Sequence, residues 1–280
     1  MKHTMNHIKT AFTNNKPLMI KPSIALAYME KIEELNVPFE KNFSEVSQFM
    51  ELIFGKPPMM EKNGSVAVIP VKGVIGKNLG QLDRLCGAID VDDISSWVDE
   101  VAQDPEIKTV VFEHNSPGGT VTGVPELAAK IRALGAIKNT ISYTETDCHS
   151  ASYYLASQSN QFLATESSEI GSVGVYMAIP DYTEAFANEG IKMEVIKSGK
   201  YKGMGIEGTS LSKDQHDFLQ NDVTETHNTF KKDVKKVRSM IKDEDMEGQS
   251  FSGKKAAEKC MITGICSSLN EVLERASNIE

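Results

Sequence analysis

The sequence predicts an α/β protein: a mostly parallel sheet flanked by helices, with a helical N-terminal extension and a helical C-terminal part. Three observations predict it. From Gly64 onward, short β-branched runs alternate with helical patterns, the signature of βαβ units. Glycine and serine turns follow those runs, at 115–119 and around Ser150. The last quarter then turns helical, with two capping boxes.

Residues 1–60 read as the extension, with amphipathic helices at 23–35 and 44–54 separated by Pro38, and Lys56-Pro57-Pro58 as a stiff linker. Residues 61–280 form the main domain. A buried strand is expected at 65–71. A helix follows at 92–103, with Asp92 as N-cap and Pro105 beyond its end. The strand 107–114 comes next, then a helix over 123–134 with Pro125 in its first turn and Gly135 at its stop. Beyond it lie a strand at 139–145, a helix after Ser150, short strands at 161–165 and 173–178, a helix from Asp181 closed by Gly190, and a strand at 193–197. Ser212 with Gln215 caps a long helix reaching Lys242, and Ser268 with Glu271 caps the terminal one. Right-handed crossovers bring the loops after parallel strands to one sheet edge, where such folds build sites.

Composition narrows the function. A net charge of −9 and a pI near 5.3 leave no basic stripe for nucleic acid. The four cysteines, Cys86, Cys148, Cys260 and Cys266, have neither zinc-ligand spacing nor the density of a disulfide framework, so no metal and reduced thiols are expected. The best apolar run near the N-terminus, 17–29, is broken by Lys21 and Pro22. No stretch is long enough to span a bilayer. The expected location is cytoplasmic, with no membrane span.

The chemistry centres on Ser150, in D-C-H-S-A-S-Y-Y-L-A at 147–156. A serine between a strand and a helix places Oγ beside unpaired backbone N–H groups that favour developing negative charge, an arrangement suited to acyl transfer. The same position also suits a plain helix cap. Asn115-Ser116-Pro117-Gly118-Gly119 follows the strand 107–114, and its glycines allow the backbone to approach a ligand closely. Gly119 or Gly118 would supply one oxyanion donor and the N–H of Ala151 the other. A serine nucleophile needs a base, and His149 and His114 are poorly placed for it. A lysine from K-S-G-K-Y-K-G at 197–203 serves if buried, because desolvation disfavours its charge.

Together N-S-P-G-G at 115–119, S-A-S-Y-Y-L-A at 150–156, E-I-G-S-V-G-V at 169–175 and I-K-S-G-K-Y-K at 196–202 resemble the signal peptide peptidase A family of serine peptidases and its phage prohead protease relatives. The resemblance covers roughly residues 64–275 and implies a ClpP/crotonase-like fold. It makes Ser150 the nucleophile, Lys202 the general base, Ser172 the residue that orients that lysine, and Gly119 part of the oxyanion loop. Lys200 is a rival base. Cys148 and His149 replace the small residues usual before the nucleophile and raise a Cys-His alternative. Ser152 replaces a glycine or alanine, and Cys260–Gly264 departs from a glycine-hydrophobic-Asp-Gly run.

The resemblance further implies a serine endopeptidase with a Ser-Lys dyad, no cofactor, and a homo-oligomeric assembly. With no export signal in view, the phage branch is expected, cleaving scaffold or coat protein in the host cytoplasm or procapsid. A cytosolic bacterial peptidase of the same family is the alternative. A crotonase-type acyl-CoA enzyme and an inactive capsid component stand further off.

Overall fold

The computed structural model describes residues 18–20 and 57–278. The helices expected at 23–35 and 44–54 lie outside the described residues. In chain order the elements are β1 (Leu18–Ile20), β2 (Glu61–Asn63), β3 (Val66–Lys72), β4 (Ile75–Gly76), α1 (Gln81–Leu85), β5 (Ile89–Asp90), α2 (Val91–Gln103), β6 (Thr109–Ser116), β7 (Gly118–Thr120) and α3 (Val124–Leu134). They continue with β8 (Asn139–His149), α4 (Ala151–Ala156), β9 (Gln161–Ala164), β10 (Glu169–Gly171), α5 (Thr183–Asn188) and α6 (Lys213–Lys235). A 3-10 turn at Asp243–Asp245 precedes β11 (Ser250–Ser252), α7 (Gly253–Glu258), β12 (Gly264–Ile265) and α8 (Leu269–Ser277).

The main sheet runs β11-β10-β8-β6-β3-β2, with β9 pairing the first half of β8 and β12 pairing β9. The β3, β6, β8, β9, β10 and β12 pairings are parallel, and β2 and β11 add antiparallel edges. Pro70 is tolerated inside β3 because the pairing with β2 stops at Val68, so its missing N–H breaks no ladder on that side. A second small sheet, β1-β7-β4-β5, stands beside the C-terminal ends of the main strands.

Both faces of the sheet are covered, as alternating βα units require. Val91, Ile94, Val98 and Val101 make one buried stripe of α2, packed with α3 and α4 in the larger core. On the other face Val66, Val111, Ile141, Tyr143 and Leu163 pack against Val272 and Ala276 of α8. Burying each such aliphatic side chain is worth roughly 1.5–3 kcal/mol, so the two cores hold the sheet rigid where the site is built.

Several element boundaries move from their expected positions. The N-cap of α2 is Asp90, whose carboxylate accepts from the Asp92 N–H, because Asp90 ends β5 in extended geometry. β8 runs on to His149, and α6 ends at Lys235. The Ser212–Gln215 capping box forms in both directions, whereas at α8 Ser268 accepts from the Glu271 N–H while the Glu271 carboxylate accepts from Ser267. No strand forms at 193–197, and 173–178 contributes only an isolated bridge, whereas β10 forms just upstream. A strand needs a neighbour for its N–H and C=O groups, and among the described residues the 193–197 segment has none.

That segment belongs to a projecting arm. The C-terminal half of α6 is docked by buried Phe230 and Val234, with Phe230 stacked on Tyr154 of α4 at 4.4 Å. Residues 178–212 are largely exposed, including Ile191, Met193, Ile196, Tyr201 and Ile206.

Candidate active site

Three adjacent strand ends carry three of the motifs. Within the order β10-β8-β6, Gly171 pairs His149 and Ser116 pairs Cys148. Ser172 therefore follows the end of β10, Ser150 follows β8, and the Gly118-Gly119 turn follows β6, all at the same edge. Parallel pairing alone achieves this, since strands running the same way end on the same side.

Ser150 occupies an unusual backbone position. Its φ is 52° and ψ −116°, outside the regions open to most non-glycine residues, which costs on the order of 1–3 kcal/mol. The position is held from both sides: the Ser150 N–H donates to Gly171 O at 2.8 Å, and the Tyr154 N–H donates to Ser150 O at 2.8 Å. Ser150 is 1% exposed, and its Oγ has no hydrogen-bond partner among the described residues. A helix cap would satisfy that hydroxyl, and here the side chain makes no cap hydrogen bond. Ala151 is buried in the first turn of α4. Ser172 shares the left-handed backbone, at φ 53°, and is anchored by its N–H donating to Gln249 O at 2.7 Å.

The glycines have separate reasons to be glycines. Gly118 has φ 100°, and its N–H donates to Ser116 Oγ at 3.1 Å. Gly119 lies against β4 so closely that a Cβ would fall 1.8 Å from Ile75 O, a collision with backbone that no rotamer relieves. Both are buried beside α4, which packs on β7.

Within the chain Lys202 makes no hydrogen bond to Ser150. It is exposed on the arm, its N–H donates to Gly199 O at 3.2 Å, and Ser150 Oγ has no hydrogen-bond partner among the described residues. Lys200, the rival base, is tied up in an ion pair with Asp214 at 2.6 Å. Donating a hydrogen bond to the Asp214 carboxylate raises its pKa, so Lys200 holds its proton more firmly than an ordinary lysine.

The Cys-His alternative fares worse. Burial pushes the Cys148 thiol up to about 12, and its Sγ lies 3.5 Å from Ser152 Oγ. A thiol that stays protonated at neutral pH is a poor nucleophile. The His149 ring lies between carboxylates, with Asp147 Oδ1 3.6 Å from Nδ1 and Glu169 Oε2 3.6 Å from Nε2. Asp147, His149 and Glu169 thus bring potential metal-ligand atoms within 4.8 Å of one another. Sequence spacing offered no metal motif, because this cluster spans two strands and exists only through the Glu169 to Asp147 register.

Sequence reasoning also missed the support beneath α4. His114 of β6 places Nδ1 2.9 Å from Ser152 Oγ and Nε2 3.2 Å from Ser142 Oγ, and Ser142 Oγ lies 2.8 Å from Ser159 Oγ. Ser152, where the family pattern has glycine or alanine, is therefore the link between β6 and the helix behind the nucleophile. The available signal was a histidine two residues after the apolar run Val110-Val111-Phe112, since a histidine needs polar company when buried.

Burial holds His114 neutral by lowering its pKa to about 3, against 6.5 when unfolded. The unfolded chain therefore takes up this proton first as pH falls, so stability present above pH 6.5 is lost progressively toward pH 3. A single such group contributes a slope of at most roughly 1.4 kcal/mol per pH unit. His114→Gln should lose less stability than the parent between pH 7 and 4.5, as read by urea midpoints at both pH values. Equal losses would remove His114 from acid sensitivity.

The sequence model of peptidase family S49 matches residues 132–278, just over half of the chain and including Ser150, Ser172 and Lys202. The chain belongs to peptidase family S49. With that membership the ClpP/crotonase-like fold class holds, as does the resemblance carried by the motifs. Among curated relatives, the capsid assembly protease C of Escherichia phage lambda is 26% identical over 74% of this chain and 48% of its own length. The head-tail preconnector protein GP5 of Enterobacteria phage P21 is 26% identical over 84% of this chain and 49% of its own. The chloroplastic serine protease SPPA of Arabidopsis thaliana is 24% identical over 71% and 30%. The chain spans about half the length of the first curated relatives it matches. Among solved structures, a membrane-bound stomatin-specific protease overlaps 77% of this chain and 86% of its own at 13% identity and a TM-score of 0.39. No helix of the described residues is long and apolar enough to cross a membrane.

Proposed function

We propose that this S49 family member is a serine endopeptidase of the capsid-assembly kind, with Ser150 as nucleophile and Lys202 as general base. The observation that carries the reading is Ser150 itself: a buried serine in a left-handed backbone, its hydroxyl unpartnered, at the strand edge shared with Ser172 and Gly118-Gly119. Structural serines are not ordinarily held this way, because both the strain and the unmade hydrogen bond cost stability.

In the proposed reaction Ser150 Oγ attacks the scissile carbonyl while Lys202 Nζ takes its proton. The Gly119 and Ala151 N–H groups hold the oxyanion. The amine leaves with the proton from Lys202, and water then hydrolyses the acyl ester, restoring Ser150. Ser172 orients the lysine. No step calls on a cofactor or metal.

The base must arrive from the arm, and the arm exposes Ile191, Met193, Ile196, Tyr201 and Ile206, with Ile196 95% exposed. An apolar surface of this kind favours burial against a second copy. The assembled homo-oligomer is therefore proposed as the active form, with Lys202 reaching Ser150 across the contact.

The capsid role draws support from the phage relatives, which match over 74% and 84% of the chain. Its test is co-expression with the coat and scaffold proteins of the same genome in the host cytoplasm. A shortened coat or scaffold product that disappears in Ser150→Ala is expected. Unchanged coat and scaffold chains, with other polypeptides still cut, would overturn the capsid role in favour of a signal peptide peptidase-like one.

A further inference from the structure

β1 lies in a place that bears directly on substrate. Its backbone pairs antiparallel with β7, Leu18 opposite Thr120, Met19 opposite Gly119 and Ile20 opposite Gly118. The other side of β7 is closed by β4, which pairs Ile75 with Gly119 at a separation that admits no side chain. β1 therefore occupies the remaining edge of the strand that carries both oxyanion-loop glycines.

A polypeptide presented for attack must be extended, with its scissile carbonyl near the Gly119 N–H. Main-chain pairing on a sheet edge is the general means of holding an extended chain with little regard to its sequence. We propose that the outer edge of β7 is the seat of the substrate strand and that residues 18–20 occupy it as an internal competitor. The proposal rests on the reading of Ser150 and Gly119 given above.

The competitor is built to be displaced. Among the described residues it pairs through three. In the sequence Pro17-Leu18-Met19-Ile20-Lys21-Pro22 it is bracketed by prolines, which lack the N–H a longer ladder needs. A longer extended substrate makes more ladder bonds and wins at sufficient concentration, while short or folded chains do not.

The test uses the full chain carrying Met19→Pro, which breaks the pairing opposite Gly119, with Met19→Ala as the variant that keeps the backbone able to pair. Hydrogen exchange of the peptide covering 118–120 should quicken about tenfold or more in Met19→Pro and stay unchanged in Met19→Ala. A synthetic peptide of residues 14–24 should restore protection to Met19→Pro and inhibit its cleavage of an unfolded protein competitively. KM for that unfolded protein should fall about tenfold in Met19→Pro with kcat little changed. Equal exchange in parent and Met19→Pro, or a peptide that restores no protection, would overturn the proposal. Protection that responds as expected, with no variant cleaving anything, would support the seat on β7 and overturn the peptidase reading instead.

Discussion

Ser150→Ala should abolish cleavage of an unfolded protein, with a loss on the order of 10⁴-fold or more, while Cys148→Ser leaves most activity in place. The size follows from covalent catalysis: without the hydroxyl there is no acyl ester, and the residual rate comes only from substrate binding and the oxyanion donors. The contrast follows from the two environments. Ser150 Oγ has no competing hydrogen bond among the described residues, so a base that reaches it meets a hydroxyl free to give its proton. Cys148, with its thiol pushed up to about 12 by burial and its side chain beside Ser152, faces the core. Folding of Ser150→Ala should be unimpaired, since the side chain contributes no bond. Alanine at a φ of 52° is no more strained than serine. Measured turnover with matched far-UV circular dichroism checks both halves. Full activity in Ser150→Ala, or its loss in Cys148→Ser alone, would transfer the nucleophile to the thiol.

Lys202→Arg should be nearly as inactive, down about 10²- to 10⁴-fold, which is the range a positioned general base supplies. Arginine preserves positive charge and reach but does not surrender a proton near neutrality, so it separates base chemistry from electrostatic attraction. Lys200 substitutions should matter little, because that ammonium is committed to Asp214. The exposed position of Lys202 adds a second expectation. If a neighbouring copy delivers the lysine, inactive Ser150→Ala and inactive Lys202→Ala chains mixed during assembly should regain activity, approaching roughly a quarter of the sites in a randomly mixed closed ring. Mixtures that stay inactive while each copy assembles normally would place the base within one chain, reached by closure of the arm. Normal turnover in Lys202→Arg would end the dyad assignment altogether.

Local patterning determined much of this protein. The alternation of β-branched runs with amphipathic helices sufficed for the parallel sheet covered on both faces, because side-chain periodicity and helix capping are properties of neighbouring residues. The serine and glycine motifs were legible for the same reason: Ser150 and Gly118-Gly119 sit at strand ends that each announce themselves by the turn that follows.

Tertiary structure decided what depended on residues far apart in the chain. The register of β6, β8 and β10 placed the serines and glycines at one edge and made the Asp147, His149 and Glu169 cluster, which no spacing in the sequence contains. The buried link from His114 to Ser152 required a strand and a helix to pack before either polar group had a partner. The arm shows the converse. Its apolar residues read as a strand at 193–197, yet periodicity specifies only which faces a segment offers. A strand, like a base poised beside its nucleophile, forms only when another piece of backbone supplies the other half.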